Sequence, residues 1–92
     1  MGVKATRIRI EETENDFVVS YRNALDREVI VKVSGRRGLI QDAEDVPEDL
    51  FRDEVYDHLA YGLDAEYWEQ SAKDELRRLT DAIAAAAWNS KN

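Results

Sequence analysis

The N-terminal half of the chain carries three short runs in which apolar residues recur at every second position. The runs cover residues 3–11, 17–25 and 29–34. In the first run Ile8 and Ile10 alternate with Arg7 and Arg9, which is the period of a β-strand with one buried face. Polar turn-forming residues separate the runs, so the pattern predicts three sequential antiparallel strands, a β-meander.

The two faces of the predicted meander differ in chemistry. The inner face holds Thr6, Ile8, Ile10, Phe17, Val19, Tyr21, Val29, Val31 and Val33. The outer face collects Ser20 and Ile30 together with four basic residues, Arg7, Arg9, Arg22 and Lys32. Such a division is typical of an antiparallel sheet that packs on a core with one face and meets solvent with the other.

The segment SGRRG, residues 34–38, follows the third run and is predicted to be a solvated loop. Its two glycines flank Arg36 and Arg37, whose guanidinium groups are a secondary candidate for contacting an anion or an acidic patch. Because residues 39–41 separate this segment from the next predicted helix, it does not have the form of a phosphate-binding loop.

The C-terminal half changes to helical periodicity. Residues 46–61 are predicted to form a helix whose apolar face contains Phe51, Val55 and Leu59, with His58 beside them. A second, longer helix is predicted over residues 65–88. Its core stripe comprises Trp68, Ala72, Leu76, Leu79, Ile83 and Ala86.

Both predicted helices begin beside residues that are suited to capping. Asp45 and Glu48 have capping-box spacing, with Pro47 in the first turn, and Asp64 precedes the second helix as an N-cap. The sequence therefore predicts one α+β domain over residues 1–92, a three-stranded antiparallel meander followed by two helices packed on one face, in the order β-β-β-α-α.

Charge is distributed unevenly between the two halves. The chain has 92 residues and a net charge of −7. Residues 1–41 hold eight Lys/Arg against six Asp/Glu, a net +2, whereas residues 42–92 hold five against fourteen, a net −9. An acidic half repels nucleic acid and anionic lipid and attracts basic surfaces. We therefore expect a protein partner with a basic surface, and neither direct nucleic-acid binding nor membrane binding.

The composition also bears on cofactors and location. There is no cysteine, so neither a disulfide nor a thiolate metal site can form. The longest apolar run, residues 82–88, is far shorter than a bilayer span, and the N-terminus lacks the apolar stretch of a signal peptide. These features predict a cytoplasmic protein without a cofactor or a bound metal.

Nothing in the sequence predicts catalysis. His58 is the only histidine, and it is predicted to be a core or boundary residue rather than a catalyst or ligand. Asp42, Glu44 and Asp45 lack the spacing and the closing glutamate of a calcium-binding loop. We expect that the protein is not an enzyme.

The candidate functional feature is a row of acids on the first predicted helix. Asp49, Asp53 and Asp57 recur at i, i+4 on the side away from Phe51. Like charges at this spacing destabilise a helix by about 0.2–0.5 kcal/mol per pair. The full set of candidate partner-binding residues is Glu48, Asp49, Asp53, Glu54, Tyr56, Asp57 and Tyr61.

The second predicted helix arranges its charges differently. Glu69 precedes Lys73 and Asp74 precedes Arg78 at i, i+4, which is the stabilising order. We therefore expect the second helix to neutralise its own charges and the first helix to leave its acids unpaired. This contrast favours a role for the acidic row beyond solvation.

In overall profile the chain resembles the small acidic phage-encoded anti-CRISPR proteins. The resemblance rests on the length, the acidic charge, the three-strand, two-helix pattern and the row Asp49, Asp53 and Asp57 with Glu48 and Glu54. It implies an inhibitor in the host cytoplasm that binds basic surfaces of a Cas effector and blocks its target nucleic acid. Carboxylates one helical turn apart lie about 5–6 Å from each other, a spacing comparable with that of phosphates along a nucleic-acid strand.

Two alternatives explain the acids without an inhibitor. In one, the acidic row is a solubilising surface, as charge runs commonly are. In the other, the chain is a self-associating structural or regulatory module that forms a homodimer. The small side chains of Ala82 and Ala84–Ala87 would permit close approach of a second helix, with Trp88 as an anchor.

Overall fold

A computed structural model describes residues 4–34 and 36–89, without the side chains of Ser34, Arg36 and Arg37. Its elements in chain order are β1 (Thr6–Glu12), β2 (Asp16–Arg22), β3 (Glu28–Ser34), α1 (Arg36–Asp42), α2 (Glu48–Gly62), one turn of 3-10 helix (Ala65–Tyr67) and α3 (Gln70–Asn89). Val3, where the first predicted strand begins, lies outside the described residues. The predicted α+β class, an antiparallel meander followed by helices, is confirmed.

The sheet has the strand order β1-β2-β3, as a meander requires. Residues predicted for the inner face pair across it, with Ile10 opposite Val19 and Val19 opposite Val31. Phe17 and Val19 are buried, whereas Ile30 on the other face is 60% exposed. The helices therefore cover one face of the sheet and leave the other open.

A β-bulge interrupts β1. Thr6 pairs with Arg22 and Arg9 pairs with Ser20, so two residues of β1 lie opposite one residue of β2. Within the bulge Arg7 has a φ of 54°, in the left-handed region. The extra residue places Thr6 opposite Arg22, and Thr6 is exposed, so its predicted place on the inner face was wrong. A strict alternating pattern does not reveal a bulge.

The second strand ends earlier than predicted. β2 stops at Arg22 rather than continuing to Leu25, which is 76% exposed in the following turn. The side-chain oxygen of Asn23 accepts hydrogen bonds from the backbone N–H groups of Leu25 (2.9 Å) and Arg27 (3.0 Å). This side-chain bonding stabilises a turn in place of the strand ladder.

Helix α1 includes residues 36–38 of the segment that was predicted to be a loop, so that prediction was wrong there. Ser34 ends β3, and residue 35 lies outside the described residues. Leu39 and Ile40 of this helix pack against the core, and Ala43 just after it is buried. A helix of seven residues depends on such packing, since isolated helices shorter than about 12–15 residues are marginal in water. Arg36 and Arg37 lie in α1, but their side chains are outside the described part of the chain.

Helix α2 begins without the predicted capping box. Its N-cap is Pro47, and no side chain makes a cap hydrogen bond. The carboxylate of Glu48 accepts a hydrogen bond from Arg52 (2.9 Å) instead of bonding back to Asp45. Glu48 and Asp49 still lie in the first turn, where negative charge complements the helix dipole.

The second long helix starts later than predicted. Asp64, in the left-handed conformation (φ 54°), precedes the 3-10 turn and its side chain makes no cap hydrogen bond, so it does not cap the long helix as predicted. Residues 65–67 form the 3-10 turn, Trp68 is extended, and α3 begins at Gln70. The break lets the Trp68 ring pack against Tyr21, with 4.5 Å between ring centroids.

The buried side of α3 is rotated relative to the predicted stripe. Its buried residues are Ala72, Leu76, Thr80, Ile83, Ala84 and Ala87. Leu79, predicted for the core, is only half-buried, whereas Thr80 is fully buried. The Thr80 hydroxyl donates to the carbonyl oxygen of Arg77 (3.0 Å), which satisfies this polar group in the core. In this position α3 contacts both α2 and β1.

Candidate functional site

An exposed line of residues runs along the solvent side of α2. Leu50, Glu54, Asp57 and Tyr61 are spaced at i, i+4, i+7 and i+11, so they lie on one side of the helix. Leu50 is 55% exposed, Tyr61 is 89% exposed, and both carboxylates are also exposed. These four residues, here called the acidic stripe, place two carboxylates between an aliphatic and an aromatic side chain.

The carboxylates of the acidic stripe lack a basic partner within the described residues. Neither Glu54 nor Asp57 makes an ion pair there, and Asp49, which is also exposed, makes none. Their negative charge is therefore not cancelled by a neighbouring cation on this surface. Of the predicted set, Glu54, Asp57 and Tyr61 lie in the acidic stripe, whereas Asp49 is exposed on the same helix outside it.

Two other acids of the predicted set are neutralised by the chain itself. Glu48 pairs with Arg52 one turn later, at 2.9 Å. Asp53 pairs with Arg77 of α3, which lies 24 positions further along the chain. The expectation that the first long helix leaves all of its acids unpaired was therefore wrong, and the row of three aspartates is interrupted at its middle member.

Arg77 links α2 to α3. Its guanidinium group lies over the ring of Tyr56, 4.9 Å from the centroid, and its Nε is 3.5 Å from Oδ1 of Asp81. The hydrogen bond to the carboxylate of Asp53 raises the pKa of Arg77, and so does the charge of Asp81. Tyr56, a predicted partner-binding residue, is half-buried in this contact between the helices.

A pocket of about 370 Å³ opens next to the acidic stripe, between α1 and α2. Its apolar lining residues are Val33, Leu39, Phe51 and Val55, and its polar ones are Asp42, Glu54 and His58. Neither Asp42 nor Glu54 forms an ion pair among the described residues. Apolar walls combined with unpaired carboxylates suit a lysine or arginine side chain, whose methylene stem is apolar and whose end is cationic.

His58 lies in this pocket rather than in the core. The side chain was predicted to be a core or boundary residue; it is exposed, so the core position was wrong. It follows Glu54 by one helical turn, at the edge of the face that buries Phe51 and Val55. The sequence pattern missed the pocket because α1, which forms one of its sides, was taken for a loop.

The charges of α3 are compensated only in part, and not in the predicted pairs. Gln70 donates to the Asp74 carboxylate (2.9 Å), and Arg78 pairs with Glu75 (2.5 Å). The hydrogen bond from Arg78 lowers the pKa of Glu75. Within the described residues no ion pair joins Asp74 to Arg78, or Glu69 to Lys73, as was predicted.

The alanine-rich end of α3 packs largely inside the chain. Ala84 and Ala87 are fully buried, and the ring of Trp88 lies 5.5 Å from that of Phe51. These two alanines are therefore not available to a second copy of the chain. Homodimerisation remains a prediction, but the surface proposed for it is reduced to the side of α3 that carries Ala82, Ala85 and Ala86.

The described residues contain neither a metal-binding cluster nor a membrane-spanning helix. Between residues 4 and 89, with residue 35 omitted, no cluster of three or more His, Asp or Glu side chains is arranged to hold a metal ion. In the same part of the chain, no helix combines the length and the apolar character needed to cross a bilayer.

Comparisons with protein-family models, curated proteins and solved structures found no match. Evidence for the function therefore comes from the acidic stripe, the adjoining pocket and the overall charge.

Proposed function

We propose that this protein binds a basic protein surface through the acidic stripe and the pocket beside it. The observation that carries the proposal is the set of exposed, unpaired carboxylates at Asp42, Glu54 and Asp57, next to apolar pocket walls. A surface that served solubility alone would not need a pocket of about 370 Å³ within the same patch.

The acidic stripe has the chemistry of a surface that competes with nucleic acid. Carboxylates three or four positions apart on a helix lie about 5–6 Å from each other, so Glu54 and Asp57 present a closely spaced negative pair. Tyr61, at one end of the stripe, offers a large contact area at low cost in side-chain entropy. Leu50 adds apolar area at the other end.

The pocket supplies an anchor point for one side chain of the partner. An arginine or lysine that enters it would place its methylene groups against Leu39, Phe51 and Val55 and its charge near Asp42 and Glu54. Buried anchors of this kind carry most of the binding energy in many interfaces, whereas exposed charges mainly raise the association rate. The stripe and the pocket would therefore contribute to association rate and lifetime respectively.

The resemblance to anti-CRISPR proteins suggests the class of target. A Cas effector holds nucleic acid in a positively charged channel, and an acidic module bound there would exclude the nucleic acid. In this proposal the protein is a phage-type inhibitor in the host cytoplasm.

Competition for nucleic acid tests this proposal. Labelled target DNA or RNA would be bound to each of a panel of Cas effector complexes, and the protein added until the label is displaced. Asp57→Lys and Glu54→Lys should each weaken displacement by about ten-fold or more, because each puts a cation where the partner is basic. Asp74→Lys is the matched control, since it changes the net charge equally at an exposed position of α3.

The variants also separate the proposal from non-specific electrostatics. If Asp74→Lys weakens displacement as much as Asp57→Lys, the effect comes from total charge and not from the stripe. If no effector in the panel releases nucleic acid, the inhibitor proposal fails for that class of target.

A further inference from the structure

The open face of the sheet contains a pocket that is separate from the acidic stripe. Its volume is about 350 Å³. The lining residues are Arg7, Arg9, Ser20, Tyr21, Arg22 and Glu28. Three guanidinium groups against one carboxylate give this pocket the opposite charge to the one beside α2.

Ser20 is the unusual residue in this pocket. It is only 8% exposed, and within the described residues its hydroxyl has no hydrogen-bond partner. The hydroxyl oxygen is not sealed from solvent, so a ligand or water that enters the pocket can hydrogen-bond to it. Ser20 lies in the middle strand, opposite Arg9 on one side and Ile30 on the other, so its hydroxyl belongs to the lining between two edge strands.

The bulge in β1 adds a second unusual feature. Arg7 occupies the left-handed region, which side chains with a Cβ rarely adopt and where glycine is the usual residue of a bulge. Bulges of this kind re-aim a side chain and are common beside functional sites. In this protein the bulge brings Arg7 into the same pocket as Arg9 and Arg22.

The cations of the pocket are only partly neutralised. Arg9 pairs with Glu28 at 3.4 Å, and Arg22 lies 3.7 Å from Asp26, whose side chain is 90% exposed. Arg7 has no ion pair among residues 4–34 and 36–89. The pocket therefore retains positive charge beside a hydroxyl that is open to a ligand.

We propose that this pocket binds a phosphate group carried by a small molecule. Arginine forks match the geometry of phosphate oxygens through paired N–H donors, and the Ser20 hydroxyl would supply a further donor. The volume exceeds what one phosphate group fills, so a nucleotide-sized ligand is favoured over the free ion. Glu28 is a competitor in this arrangement, because it occupies Arg9 in the absence of the ligand. The proposal does not depend on the acidic stripe or on a protein partner.

Titration with defined phosphates tests the proposal on the folded chain. Inorganic phosphate and adenosine monophosphate would be added at matched ionic strength, with sodium chloride as the reference, and binding followed by amide chemical shifts and calorimetry. We expect saturable binding that shifts the amides of Arg9 and Ser20, with the nucleotide binding more tightly than the free ion. If only inorganic phosphate binds, a nucleotide-sized ligand is refuted; the absence of saturable binding by either refutes the site.

Four single substitutions locate the binding. Arg7→Gln should weaken it by about ten-fold or more, because a charge-assisted hydrogen bond is lost, and Ser20→Ala should weaken it by a few-fold. Glu28→Gln should strengthen it, since Arg9 is released from its internal partner. Arg27→Gln is the control, because it removes one positive charge near the pocket from a residue outside its lining.

The increase in phosphate affinity expected for Glu28→Gln is a control for misfolding, since a folding defect cannot increase affinity. Equal weakening by Arg27→Gln and Arg7→Gln would show diffuse charge attraction and refute the site. Tighter binding of a polyglutamate peptide than of adenosine monophosphate would assign the pocket to an acidic protein segment instead. Because the acidic stripe is not altered in any of these variants, their outcome is independent of the nucleic-acid competition assay.

Discussion

Replacing Arg77 with alanine should destabilise the fold, because this residue makes three contacts around the boundary of α2 and α3. The substitution removes the ion pair with Asp53, the cation–π contact with Tyr56 and the ion pair with Asp81. It also removes the cationic neighbour of Oδ1 of Asp81. This atom is buried without a hydrogen bond, and the Nε of Arg77 at 3.5 Å is its cationic neighbour.

The magnitude follows from the exposure of each contact. The side chains of Arg77 and Asp53 are 40% and 53% exposed, so solvent screening limits this pair to about 0.2–1 kcal/mol. The contact with Tyr56 contributes about 0.5–1 kcal/mol. Loss of the pairing at Asp81, whose side chain is 39% exposed, costs about 1 kcal/mol, at the low end for a polar group left unpaired. The free energy of unfolding should fall by about 2–3 kcal/mol in total.

Urea unfolding monitored by circular dichroism provides the assay. The urea concentration at the midpoint of unfolding should fall, while the dependence of the unfolding free energy on urea concentration stays constant, since the surface exposed on unfolding changes little. Arg77→Met keeps the apolar stem and separates lost packing from lost charge. A double-mutant cycle with Asp53→Ala should give a coupling of about 0.2–1 kcal/mol. A loss below about 0.5 kcal/mol for Arg77→Ala, within the range of ordinary surface substitutions, would refute the role assigned to this residue.

Two further predictions concern the core. Leu76→Ala should lower the free energy of unfolding by about 2–5 kcal/mol because Leu76 is fully buried. Leu79 is half-buried, so Leu79→Ala should lower it by only about 1 kcal/mol. If thermal unfolding showed equal losses of stability for the two variants, the observed rotation of α3 would be contradicted. Burial raises the pKa of Tyr21, so its contribution to stability is complete below the unfolded pKa of about 10 and is lost as pH rises toward the folded pKa. In Tyr21→Phe the free energy of unfolding should therefore decline less as the pH rises above about 10. If unfolding curves at alkaline pH showed the same decline as in the unaltered protein, Tyr21 would not be its cause.

The strands and the main helices were predictable because their periodicity is local. Val19 and Tyr21 alternate with Ser20 and Arg22, and Phe51 and Val55 recur at helical spacing, so each pattern identifies its own buried face. Helix α1 was not predictable in the same way. Its seven residues span only two turns, too short for a helical period to emerge, and its stability comes from contacts with distant elements.

The candidate site was predictable only in part. The exposed acids of α2 follow from the helical wheel, and the line joining Leu50 to Tyr61 could have been found from the same wheel. The neutralisation of Asp53 could not, because Arg77 lies on another helix and the crossing of the two helices determines which residues meet. The burial of Thr80 could not be predicted from the pattern either. A polar residue can lie in a core when a backbone carbonyl oxygen accepts a hydrogen bond from its hydroxyl, as that of Arg77 does here.

The contact between α3 and β1 has a consequence for synthesis on the ribosome. The last helix of the fold packs beside its first strand, and Leu79 and Ile83 line one pocket with Ile10 and Phe17 there. While α3 is still being translated, the inner face of the meander has only part of its cover. A nascent chain with such an exposed apolar face is a substrate for chaperones, and it acquires its full core only when the C-terminal helix has left the ribosome.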